Sequence, residues 1–183
     1  MRHYFQLILL TILLVISPTV ENAAAADLSD ASPLPLNVPA TRKFRGGERH
    51  RFSVAANTGE ALEIVADKKG VDIGLTIFAP DNTKISVSDA PSGFAGRETL
   101  FFIAEKSGEY RIEVTSKRPG NFTGEYTITL LNRSPAKEND SGRAAATKLS
   151  GEAREVLQDS ENRVEKAAAA IAKLRAALVS FKK

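Results

Sequence analysis

A chain of 183 residues with 43% hydrophobic and 26% charged side chains has the balance of a globular protein, which excludes a polytopic membrane protein and a disordered chain. A net charge of +3 with 7% aromatics does not suit a nucleic-acid binder, which clusters Lys and Arg on one face among aromatics. The absence of cysteine excludes disulfide staples, a lipid-bearing cysteine and a thiol nucleophile.

The first element is a signal peptide over residues 1–26. Arg2 precedes an apolar run from Tyr4 to Ile16, and Pro18 and Ala23-Ala24-Ala25-Ala26 follow it, the order of a charged region, an apolar region and a small-residue cleavage site. Cleavage is expected after Ala25 or Ala26. The run is shorter than the roughly 20 apolar residues of a spanning helix and contains Gln6 and Thr11, so no stable membrane insertion is expected after cleavage. The protein is therefore expected outside the cytoplasm, periplasmic or extracellular. Residues 27–40, with Pro33, Pro35 and Pro39 among Ala and Ser, read as an extended linker.

Residues 41–131 change to short alternating runs separated by Gly, Asp, Asn and Pro, the pattern of an antiparallel β-sandwich, jelly-roll-like, built from hairpins. Phe52 and Val54, then Leu62 and Ile64, then Val71, Ile73, Leu75 and Ile77 fall on one face by the period of two. Ile85 and Val87 follow the Pro80-Asp81-Asn82 turn. Leu100-Phe101-Phe102-Ile103 is apolar on both faces, which predicts a strand in mid-sheet. Two closing strands open on Gly108-Glu109-Tyr110 and Gly124-Glu125-Tyr126, each Tyr starting an inward row. The same Gly-Glu pair at 47–48 and 59–60 reads as turn punctuation, glycine taking a positive φ and Glu starting the strand on its solvent side.

Residues 132–142 read as a polar hinge, and 143–183 as a helical tail rich in Ala, Leu, Lys, Arg and Glu, with a soft break at Asp159-Ser160-Glu161-Asn162. Leu157, Val164, Ile171 and Leu178 recur every seven residues, with Ala167, Leu174 and Phe181 at the intervening positions. A coiled coil would bury this row against a second chain. A helical hairpin, or a partial tetratricopeptide-like repeat, would bury it in its own chain around Ala153 and Leu157. The alanines at 168, 170, 172 and 177 favour the hairpin, and with it a monomer.

Phe44-Arg45-Gly46-Gly47-Glu48-Arg49-His50-Arg51-Phe52, Asn57-Thr58-Gly59-Glu60-Ala61-Leu62 and Asp72 to Asn82 resemble bacterial pre-peptidase C-terminal-like sandwich modules. Gly96 to Leu100 and the two Gly-Glu-Tyr strands complete that resemblance. Where the family's turn has Gly, Asn82 stands, a residue that also accepts positive φ. The tail, with Ala170 to Leu178, is similar to the start of proteins that continue into tetratricopeptide repeats and a CHAT peptidase domain. The resemblance covers about residues 41–181 and does not extend to a CHAT domain, whose reaction needs a Cys–His pair.

No catalytic constellation is legible. The two histidines are His3, in the signal, and His50, at the rim of the inward row; no cofactor is implied, and zinc lacks its N and S ligands. Asp67, Asp72, Asp81 and Asp89 sit at strand ends; Asp72, Asp81 and Asp89 are weak calcium candidates against the simpler role of capping turns. Ala90 to Gly96 forms a glycine-flanked loop around one aromatic, so Phe94 and the adjacent Arg97 are the candidate ligand-contacting residues, unless Phe94 folds back on the core. Asn121-Phe122-Thr123 fits a glycosylation sequon and reads as a polar hairpin loop. The expectation is a non-catalytic exported interaction module, its loops binding a protein or glycan and its tail docking on the sandwich or a partner helix. The alternative is the structural N-terminal segment of a larger repeat and CHAT peptidase protein.

Overall fold

The computed structural model describes residues 30–90, 92–116, 120, 122–158 and 163–181. The signal-peptide expectation, the glycosylation asparagine and the Asp159–Asn162 break lie outside the described residues. In chain order the elements are β1 (Ser32–Pro33), β2 (Ala40–Arg45), β3 (Arg49–Ala56), β4 (Glu60–Lys69), β5 (Gly74–Phe78), β6 (Lys84–Ser88), β7 (Ala95–Ile103), β8 (Gly108–Thr115), β9 (Thr123–Pro135), α1 (Asp140–Gln158) and α2 (Arg163–Phe181). One sheet has the order β1-β3-β8-β5-β6 and the other β2-β9-β4-β7. All pairs are antiparallel apart from the short β1–β3 pair. The fold is thus a two-sheet β-sandwich followed by a pair of helices.

Alternation builds the core as the period of two requires. Phe52, Val54, Leu62, Ile64, Val71, Ile73, Leu75, Ile77, Ile112, Val114, Ile128 and Leu130 all enter one buried cluster. The two Gly-Glu-Tyr strands place Tyr110 and Tyr126 in it. Each phenol has a polar partner: Tyr110 donates to the Lys106 carbonyl at 2.7 Å, and Tyr126 shares a 2.8 Å hydrogen bond with His50 Nδ1. Gly47 and Gly59 have φ of +87° and +84°, as turn punctuation demands. The glutamates do more than face solvent. Glu48 Oε2 accepts the Arg45 N–H at 2.8 Å and Glu60 Oε2 the Asn57 N–H at 2.7 Å, closing each turn from the side chain.

Three expectations need correction. The segment 27–40 is not wholly a spacer: Ser32 and Pro33 pair with Phe52 and Ser53, Leu34 is buried, and Leu36 bridges Leu130, because this stretch has apolar side chains that the sandwich margin can cover. β7 lies at a sheet edge, not in mid-sheet; its second apolar face exists because α1 covers Phe101, with the Arg143 guanidinium 4.0 Å above the ring. Next to β7, in β6, Val87 pairs with outward-facing Thr76 and lines the cleft under α1, while Ser86 pairs with inward-facing Ile77. Finally, β9 runs on through residues 132–135 paired with β4, and α1 begins at Asp140, which leaves only 136–139 as the connection. Asp140 closes that connection by accepting the Lys137 N–H at 2.8 Å.

The helices form a hairpin whose first member, α1, packs along β6 and β7, while α2 packs on α1. Lys84 donates to both Glu155 oxygens at 2.9 Å, and Arg143 bonds Glu63, joining α1 to both sheets. Ala146 and Ala153 are buried on α1 and Ala170 on α2, with Lys173 bonded to Glu152 between the helices. The large apolar row predicted to pack against Ala153 and Leu157 does not do so: Ile171, Leu174 and Leu178 are exposed, as is Leu157 itself. Small alanines allow the closest approach of two helix backbones, so they take the shared face and turn the larger residues out.

Candidate interaction site

The β6–β7 connection, Asp89 to Phe94, rises at one end of the sandwich and carries Phe94, 43% exposed. Its ring meets Phe122 edge to face, centroids 5.9 Å apart, and Phe122 in turn packs on the core. The Phe94 carbonyl accepts the Gly70 N–H at 2.8 Å, tying the loop to the neighbouring turn. Gly96, at the start of β7, has φ of +101° and a Cβ there would come within 2.9 Å of Ser92, so both backbone and space require glycine. Phe94 is thus partly presented and partly seated. Arg97 is not a free ligand contact: its Nε and Nη2 donate to the two Asp67 oxygens at 2.8 and 3.0 Å, and that pairing raises its pKa.

Beneath the loop lies a feature the sequence reading missed. Lys68 and Glu98, on adjacent strands β4 and β7, meet with both side chains fully buried, Nζ to Oε1 at 2.7 Å. Glu98 Oε2 accepts the Ser88 hydroxyl at 2.8 Å and the Ala90 N–H at 2.7 Å, while Ser88 Oγ accepts the Thr99 N–H at 3.2 Å. Asp72 stands 3.8 Å from the same ammonium. One carboxylate therefore holds both stems of the loop. The signal was available: Lys68 continues the inward parity of Leu62, Ile64 and Ala66, and Glu98 that of Leu100 and Phe102. Two opposite charges on inward positions must pair.

The calcium candidates are not brought together. Asp72 faces Lys68; Asp81 bonds Lys106 and accepts the Thr83 N–H at 3.1 Å in the turn where Asn82 has φ of +64°. The Lys106 hydrogen bond, with those of Thr83, holds the Asp81 carboxyl at about 2. Asp67 is taken by Arg97. Among the described residues no group of three His, Asp or Glu side chains could hold a metal ion.

His50 has its ring nitrogens toward Tyr126 and, at 3.5 Å, Glu48, and lies edge-on to Phe44 at 5.1 Å, a packing role at the core rim. Burial raises the Tyr126 pKa above its ordinary 10.0, since ionising the phenol there would strand a charge. The folded state holds that proton more tightly, so this contribution to stability is complete below pH 10 and is lost as pH rises above it. Urea titrations of the parent should therefore show stability falling above pH 10. The Tyr126→Phe variant should start about 1 kcal/mol lower from the lost hydrogen bond and show a flatter alkaline limb. Equal alkaline limbs would rule out this assignment.

Where α1 crosses β6 and β7, a cleft of about 280 Å³ opens between Asp89, Thr99, Thr147, Ser150 and Arg154. Gly151 sets its floor, because a Cβ there would stand 2.2 Å from the Val87 carbonyl oxygen.

Residues 48–116 match the family model of the bacterial pre-peptidase C-terminal domain. That match spans β3 to β8 and leaves out β1, β2, β9 and the helices. Among solved structures, the pre-peptidase C-terminal domain of a Bacillus anthracis collagenase is similar at 16% identity and a TM-score of 0.46, over 55% of this chain and 93% of that one. The periplasmic g-type lysozyme inhibitor PliG of Aeromonas hydrophila aligns at 15% identity and a TM-score of 0.39, over 55% and 95%. The Clostridium perfringens CspB protease aligns at 18% identity and 0.39, over 51% and 25%. No curated protein matches the chain.

Proposed function

We propose that this protein is a non-catalytic interaction module working outside the cytoplasm, which binds a protein or glycan through the loop end that carries Phe94. The observation that supports it most is the combination at that loop: a half-exposed aromatic backed by a second aromatic, on a connection whose two stems are fastened to one buried carboxylate. Holding a loop in one conformation lowers the ordering cost of binding, and rigid aromatics supply most contact energy in recognition surfaces. Export rests on the N-terminal sequence; no described helix is long and apolar enough to cross a membrane.

The purified protein should retain a partner in a glycan array or in pull-downs from the cell envelope. Phe94→Ala should reduce that retention at least tenfold while lowering stability by only about 1 kcal/mol, the worth of one aromatic pair. Undiminished binding by the variant would remove Phe94 from the surface. Hydrolase turnover lost on a point change would overturn the non-catalytic reading itself.

A further inference from the structure

The cleft where α1 crosses β6 and β7 has a chemistry that the Phe94 ring lacks. Thr147, Ser150 and Arg154 follow one another at three- and four-residue spacing, so one face of α1 turns all of them toward the strands. Thr99 reaches the cleft from β7: its neighbour Glu98 takes the inward position, and alternation sends Thr99 to the face under α1. Asp89 lines it from the end of β6. The three α1 residues lie outside the stretch 48–116 that matches the family, so the cleft is built partly from residues beyond the family domain.

Several of its polar groups are not consumed by the fold. The half-buried Arg154 side chain has no ion pair or hydrogen bond among the described residues, and the acids nearest it on α1 are committed elsewhere, Glu152 to Lys173 and Glu155 to Lys84. The Thr99 and Ser150 hydroxyls likewise have no partner among the described residues, while Thr147 donates to the Arg143 carbonyl at 3.0 Å and keeps its acceptor capacity. A guanidinium in this state fits a planar carboxylate through two parallel N–H donors. The unspent hydroxyls fit a ligand with several hydroxyls of its own, and the Asp89 carboxylate accepts such groups while disfavouring a doubly charged phosphate. A zwitterionic amino acid would meet Arg154 and Asp89 but leave those hydroxyls without a match. None of the described lining residues is aromatic, so nothing there stacks a base. The volume of about 280 Å³ lies just below the roughly 300–1,000 Å³ of sites for drug-sized ligands, which leaves room for one sugar ring. We propose that this cleft holds a single acidic sugar, a pyranose with one carboxylate, its carboxylate on Arg154 and its ring hydroxyls on Thr99, Ser150 and Asp89. The site shares with the Phe94 loop only the stem, Asp89 and Ala90.

The test titrates the purified, isotope-labelled protein with methyl β-D-glucuronide and with its neutral counterpart, methyl β-D-glucoside, following amide shifts by nuclear magnetic resonance. The glucuronide should move the Thr99, Ser150 and Gly151 amides with a Kd on the order of 1 mM and bind at least about ten times more tightly than the glucoside. Arg154→Gln should bring the two sugars to the same affinity, with circular dichroism unchanged because that side chain supports no contact of the fold. Ser150→Ala should weaken both sugars alike. Phe94→Ala should bind the glucuronide as the parent does, which keeps failure here distinct from failure of the loop reading. No shift at the cleft amides, equal affinity of the parent for the two sugars, alanine or inorganic phosphate bound as tightly as the glucuronide, or an Arg154→Gln protein that keeps the preference would each overturn the proposal.

Discussion

Glu98→Ala is expected to lower the unfolding free energy by about 3–5 kcal/mol, because it leaves the Lys68 ammonium buried without its partner. The Asp72 carboxylate, at 3.8 Å, is too far to replace a 2.7 Å hydrogen bond. The Ser88 hydroxyl and the Ala90 N–H lose their acceptor in the same step. Against a typical domain stability of roughly 5–15 kcal/mol, that loss moves the midpoint of urea unfolding far down. The informative companion is Lys68→Met with Glu98→Leu. Removing both charges also removes the desolvation cost, so the double variant should lie within about 2 kcal/mol of the parent or above it. It should nonetheless exchange the Ala90 amide faster, since the loop stems have lost their common anchor. A Glu98→Ala protein as stable as the parent would mean that the pair contributes nothing to the fold.

Gly151→Ala is expected to lift the helical hairpin off the sandwich. Inside a helix, Gly to Ala ordinarily gains up to about 1 kcal/mol, so propensity alone predicts stabilisation. Here the new Cβ would stand 2.2 Å from the Val87 carbonyl oxygen, and that neighbour is strand backbone that cannot rotate away. Overpacking of this kind costs roughly 1–3 kcal/mol, and the clash wins. Limited proteolysis should then cut within 136–158 at least tenfold faster, and Phe101, now covered by α1, should become accessible, while the β3–β8 amides stay protected. Slower proteolysis than in the parent would show that α1 shifts to accommodate the methyl group.

Most of the sandwich was legible because its rule is local: a period of two, interrupted by Gly, Asn and Asp at turns, is read one strand at a time. The same rule misplaced β7, since a strand apolar on both faces can be central or can be an edge strand under a helix, and only the docking of Arg143 over Phe101 distinguishes them. In β6 the register shift between Ile77 and Phe78 decides which residues face inward, and a shift in strand pairing has no local sequence pattern. The heptad in α2 was visible, but which of its faces meets α1 depends on how closely two backbones can approach, a property of Ala153 and Ala170 together. At the loop, Phe94 could be named from its glycines alone. Asp67 opposite Arg97 could not, because the two are joined by strand pairing across thirty residues of chain.

The outermost strands have a consequence for self-association. A sheet edge offers unpaired amides to any passing strand, and a cysteine-free protein cannot guard it with a disulfide. Here each margin is closed differently. β1 lays Pro33, which has no N–H, along β3; β2 carries Lys43 and Arg45 outward, so that two such edges repel; α1 lies against β6 and β7. α1 thus works as a cover for two edges at once, and among the described residues the margins left to a passing strand are the two-residue β1 and the cationic β2.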